Sequence, residues 1–141
     1  MNDRLVGVQR RGRTVAARAP PPLTLARAGL GAMVLLAGVH KLLAPAAWTV
    51  YVVDWLEPLL LVSPTEFMLA NGWLEIGFGL ALLLDRYAAF AALVAAVSLS
   101  ATVVYLAVVA ATGGGFGDVL VRDVGLAGLA WAVFVGELRP G

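Results

Sequence analysis

The sequence predicts an all-α membrane protein: a polytopic four-helix transmembrane bundle with a short interfacial helix between its first two spans. Three observations carry this. Of 141 residues, 61% are hydrophobic and 13% charged, with a mean hydropathy of +0.90. A soluble domain carries about 25% charged residues, so this chain has too little polar surface to cover a core in water. Four apolar runs are each long enough to cross a hydrocarbon layer of about 30 Å at 1.5 Å per residue. All seven prolines fall outside those runs, where they break no helical hydrogen bond. Helix is preferred to strand because lipid requires each segment to satisfy its own backbone groups. The runs are also too long, and too little alternating, for a barrel.

Residues 1–22 read as a flexible basic cytoplasmic tail. Arg4, Arg10, Arg11, Arg13 and Arg18 are scattered without apolar periodicity before Pro20-Pro21-Pro22. Such a segment is attracted to anionic headgroups. A nucleic-acid arm is the alternative on composition, but a net charge of +1 provides no global field for it.

Residues 23–137 form the transmembrane domain, with spans at 23–43, 65–84, 87–111 and 119–136. Ala44-Pro45-Ala46 resembles a signal-peptidase site, yet the first span is long for a signal sequence. Residues 46–57 carry Trp48, Tyr51, Val52, Trp55 and Leu56 at helical spacing. Twelve residues make about 18 Å of helix, too short to span. An aromatic amphipathic helix suits the membrane–water interface. Asp85-Arg86 forms a polar turn. No charge occurs from Tyr87 through Gly117, and Gly113–Gly117 is a flexible loop lacking the lysine of a phosphate-binding loop.

Positive charge sets the expected orientation. With the N-terminus inside, Arg4, Arg10, Arg11, Arg13, Arg18, Arg27, Arg86 and Arg139 share one side, against Lys41 and Arg122 on the other. The expectation is a cell-membrane protein with both termini cytoplasmic.

Ionisable groups within a membrane are costly and need a reason. Glu75 lies near the middle of the second span, with Asn71 one turn away and Gly72 and Gly79 beside that stripe. Arg27, Gly31, Val34, Gly38 and Lys41 form a stripe on the first span, with His40 beside Lys41. Ser98, Thr102 and Tyr105 align on the third. Asp118 and Arg122 form an i,i+4 pair on the fourth, and Asp123 points away from Arg122. These groups define an expected pocket floored by Glu75 and roofed by Lys41, His40 and Arg122. Glu75 is the candidate proton-handling group with Lys41 and His40 beside it, and Asn71, Ser98, Thr102, Tyr105 and Arg122 line the space. The alternative is structural: Glu75 pairs with Lys41 or Arg122 and locks the bundle, His40 packs at the interface, Lys41 snorkels, and Ser98 and Thr102 bond back to helix carbonyls. The chain has no cysteine and one histidine, which argues against thiol relays and metal centres.

Arg27-Ala28-Gly29-Leu30-Gly31 with Ala37-Gly38-Val39-His40-Lys41 resembles the first helix of the DoxX family. So do Pro45-Ala46-Ala47-Trp48, Asn71-Gly72-Trp73-Leu74-Glu75 and the closing Val121-Arg122-Asp123-Val124-Gly125-Leu126. The likeness runs over about residues 24–136. It implies a four-helix membrane bundle and, from members linked to thiosulfate:quinone oxidoreductase, a membrane subunit or assembly factor for quinone-linked sulfur redox chemistry. The absence of cysteine puts any thiol-dependent version of that role in doubt. No cofactor motif is evident in the residues, and a quinone is the one cofactor this reading admits. The partners admitted are the lipid bilayer, a redox-enzyme subunit and further copies of the chain in a homo-oligomer, not nucleic acid. Whether the protein is itself an enzyme stays open. A small proton-coupled transporter and a non-catalytic membrane scaffold are the alternative functions.

Overall fold

The computed structural model describes residues 2–139, with side chains from residue 6 onward. Among the described residues there is no strand. The helices are α1 (Asn2–Ala16), α2 (Pro22–Leu43), the single turn α3 (Ala46–Thr49), α4 (Pro64–Leu83), α5 (Ala88–Ala111) and α6 (Gly117–Glu137), with a 3₁₀ turn at Glu57–Leu59. The four long helices α2, α4, α5 and α6 are apolar and long enough to cross a membrane. Each starts and stops within two residues of the expected limits.

Local chemistry explains the boundaries. Pro22 and Pro64 occupy first helical positions, where a missing N–H costs nothing. Ser63 caps α4 in a capping box: its Oγ accepts from the Glu66 amide at 3.2 Å, and Glu66 Oε2 accepts from the Ser63 amide at 2.9 Å. α4 and α5 both end in Schellman turns. The Arg86 amide donates to the Ala81 carbonyl and the Gly114 amide to the Val109 carbonyl, each at 2.9 Å. The left-handed residue is Gly113 (φ 86°) after α5 but Asp85 (φ 54°) after α4.

Two expectations need correction. Residues 2–16, expected as a flexible basic tail, form the helix α1. Arginine, glutamine and alanine favour helix, and almost all the described side chains of α1 are exposed. The Arg4 side chain lies outside the described ones. The interfacial helix expected at 46–57 shrinks to α3, after which the chain bends. Tyr51-Val52-Val53 brings β-branched residues that weaken a helix. The bend lets the Tyr51 carbonyl and the Val53 amide meet the Tyr105 hydroxyl on α5, at 2.5 and 3.3 Å.

The bundle is built from two consecutive helix pairs. α2 lies on α4 through glycines facing glycines. A Cβ added at Gly38 would stand 2.6 Å from the Gly72 carbonyl oxygen, and one at Gly79 would stand 2.6 Å from the Leu35 nitrogen. Small residues permit this approach of backbones. α5 lies on α6 through Ala91, Ala92, Ala95 and Ala96 facing Ala130 and Val133, joined by Leu30, Val34 and Leu82 from the first pair. Leu30, Leu82, Ala92, Ala96, Ala130 and Val133 are fully buried. The outer surface carries Leu36, Trp73, Phe90, Val104 and Val121, all more than 60% exposed. Water would penalise that surface heavily; lipid tails do not.

Charge gathers at the two ends. At the end bearing both chain termini, Arg27 of α2 pairs with Asp85 in the α4–α5 turn and lies 3.5 Å from Glu137 of α6. The opposite end, covered by the loop from Ala44 to Ser63, holds the candidate site.

Candidate functional site

The close crossing of Gly38 and Gly72 fixes the site. Lys41 lies one turn beyond Gly38 on the buried face of α2, and Glu75 one turn beyond Gly72 on α4. With the backbones in contact, Lys41 Nζ reaches Glu75 Oε1 at 2.5 Å. Only 6% of Lys41 is exposed. The Trp48 indole, delivered by α3, covers the ammonium with its ring centroid 4.5 Å from Nζ, a cation–π contact strengthened by desolvation. Trp48 Nε1 in turn donates to His40 Nδ1 at 2.8 Å. Glu75 Oε2 is buried and has no hydrogen-bond partner, leaving half of the carboxylate available to something else.

Beside this ion pair the two helix pairs diverge and leave a cavity of about 440 Å³. Its walls are largely apolar, including Met33, Val34, Leu74, Phe78, Leu99 and Leu126, and its polar lining is Lys41, Trp48, Asn71, Glu75, Ser98, Thr102, Arg122 and Asp123. A second lobe of about 390 Å³ shares Lys41, Trp48, Asn71, Ser98, Thr102, Arg122 and Asp123 and adds Tyr51 and Tyr105. Arg122 and Asp123 form the second ion pair, Nε to Oδ1 at 2.9 Å. Asp123 is buried while the Arg122 side chain is 58% exposed.

The structure brings together Lys41, Glu75, Asn71, Ser98, Thr102 and Arg122 around the first lobe. Tyr105 lines only the second lobe, where its hydroxyl holds the loop. His40 differs from the expectation: it is exposed and lines neither lobe, touching the site through Trp48 alone. Lys41 is no roof either, since the glycine crossing pulls it inside. Arg122 pairs with Asp123 rather than with the expected Asp118. A buried carboxylate needs a counter-charge more than an exposed one at a helix N-terminus does. Thr102 donates to the Ser98 carbonyl at 3.0 Å, the back-bonding alternative.

Sequence reasoning missed Trp48 and Asp123 as lining residues. Asp123 had a signal, a carboxylate inside an apolar helix. Trp48 had one only in hindsight of the loop's path, because its position depends on the turn at Ala44-Pro45. Among the described residues no group of three or more histidine, cysteine or acidic side chains is arranged to hold a metal ion.

Four helices long and apolar enough to span, around a cavity lined by two ion pairs, define a small multi-pass membrane protein. Residues 23–108 match the DoxX family, and the chain belongs to it. The matched segment runs from α2 through most of α5 and contains the Lys41–Glu75 pair; α6, with Arg122 and Asp123, lies beyond it. No match is found among curated proteins or among solved structures.

Proposed function

We propose that the protein is a membrane subunit, or an assembly factor, of a quinone-linked redox system, and that the cavity receives the quinone headgroup. The observation carrying this reading is the Lys41–Glu75 pair beside an apolar cavity of about 440 Å³. A quinone is apolar over its body, dissolves in lipid and carries carbonyl oxygens that need donors. Lys41 is the donor for one carbonyl. Glu75 accepts from the ammonium and fixes its position beside the cavity. Reduction of a quinone takes two electrons and two protons. With no cysteine in the chain, the electrons come from a partner oxidoreductase, such as one acting on sulfur compounds, while Lys41 and Glu75 handle protons at the carbonyl.

Transport across the membrane is less well supported. A through path would have to cross the layer of Leu30, Leu82, Ala92, Ala96, Ala130 and Val133, all of them fully buried. The charge bias along the chain favours cytoplasmic termini in the cell membrane, which directs the cavity end outward. An oligomer is compatible with this arrangement.

Trp48 supplies the assay. In protein whose other three tryptophans are changed to phenylalanine, a tail-less benzoquinone is expected to quench Trp48 fluorescence saturably. Lys41→Met should weaken binding at least about tenfold, the value of one lost charged hydrogen bond. A linear, non-saturating response in both proteins would remove the quinone reading.

A further inference from the structure

We infer that the lipid-facing groove between α4 and α5 holds the alkyl or prenyl tail of the quinone whose head occupies the cavity. The inference rests on the headgroup reading above and extends it to the rest of the ligand. The groove encloses about 440 Å³ and is walled by Trp73, Leu74, Gly77, Phe78, Ala81 and Phe90, with Tyr87 at its far end. No charged side chain lines it.

Three observations tie it to the cavity. Leu74 and Phe78 line both spaces, so the groove lies against the cavity with only these two side chains between them. The groove has a floor without a side chain: a Cβ added at Gly77 would find no atom within 4 Å. Its sides are aromatic, with the Phe78 and Phe90 rings 6.0 Å apart and tilted by 59°. Leu74 to Ala81 spans about 10 Å of helix, room for several methylenes laid along the surface.

The exit must be lateral. Toward the loop end, Trp48, Tyr51 and Leu56 line the second lobe, and Tyr105 fastens that loop in place. Toward the other end, the fully buried alanine and leucine layer blocks the bundle. On the α4–α5 side, a tail leaving the cavity passes between Leu74 and Phe78 into the groove and from there into lipid. In a bilayer the tail gains little from leaving water. The groove contributes close contacts with rigid aromatic walls instead.

The test compares a tail-less benzoquinone with its decyl-substituted counterpart in nanodiscs, with ligand expressed as bilayer mole fraction and Trp48 quenching as the readout, in protein carrying Trp55→Phe, Trp73→Phe and Trp131→Phe so that position 73 keeps an aromatic ring on the groove wall. In the parent protein the tail should tighten binding about tenfold, as about ten added carbon–carbon contacts would. The Cβ of Gly77→Leu meets no atom within 4 Å, and its side chain over the floor should abolish that gain while leaving the tail-less ligand unaffected. Ala81→Phe repeats the perturbation farther from the cavity and should act alike. If the tail-less ligand binds but the decyl gain is absent, or survives both variants, the groove is an ordinary lipid-contact surface and the inference falls while the headgroup reading stands. If neither ligand binds, both fall.

Discussion

Replacing Gly38 by alanine acts on one of the two closest backbone approaches of α2 and α4, and its effect can be worked out from geometry. The new Cβ would lie 2.6 Å from the Gly72 carbonyl oxygen and 2.9 Å from the Ile76 nitrogen. These are backbone atoms within helices and cannot swing aside. Ordinary contact begins at 3.4 Å, so α2 and α4 must part by the difference, 0.8 Å. Overpacking of this kind costs about 1–3 kcal/mol. Alanine returns about 1 kcal/mol through its better helix propensity, leaving a net loss of up to about 2 kcal/mol. The same separation stretches the Lys41–Glu75 contact, now 2.5 Å, so quinone quenching of Trp48 should weaken as well. Gly29→Ala is the control. Its Cβ meets nothing within 4 Å, so it should stabilise by up to about 1 kcal/mol. Unfolding in mixed micelles with rising denaturing detergent, followed by Trp48 fluorescence, measures both. Equal stabilities for the two variants would refute the backbone-contact argument.

Three further outcomes are expected. Lys41→Met and Glu75→Leu should each cost about 3–5 kcal/mol by stranding a buried charge, and the double variant should cost clearly less than their sum; additive losses would mean the pair is not coupled. Tyr105→Phe removes both hydrogen bonds to the loop, so amide exchange at Val53 should accelerate about tenfold or more; unchanged exchange would show the loop is held otherwise. Arg27→Gln strands Glu137 at the termini end and should cost about 1–2 kcal/mol, discounted because Asp85 is largely exposed. Quinone quenching should be unaffected there, and a loss would mean the two ends communicate.

The spans were legible because lipid imposes simple rules on a sequence: length, apolarity and proline exclusion. The stripe of Gly31, Gly38, Gly72 and Gly79 with Lys41 and Glu75 was legible too, since helical spacing alone puts these residues on single faces. What spacing does not give is the partner each face meets. That is why His40 was expected in the pocket. It is next to Lys41 in sequence but about 100° around the helix, and only Trp48 links it to the site. The loop after α2 was misread for a related reason. Its helical periodicity was real, but the Tyr105 hydroxyl on a distant helix outcompetes the local pattern at Tyr51 and Val53. Asp123 and Arg122 show the same limit. Chain neighbours pointing in different directions still pair when one is buried and the other has a long, flexible stem.

The pairing of α2 with α4 and of α5 with α6 bears on how the chain enters the membrane. In each half the two helices are made one after the other. Lys41 thus acquires its counter-ion as soon as the second span is inserted, and Arg122 has its partner at the adjacent residue. Neither has to wait in hydrocarbon for later segments. Arg27 likewise meets Asp85 once the second span is inserted, and Glu137, the last residue of α6, adds its contact only after all four spans are in place. That contact joins the first of the four spans to the last.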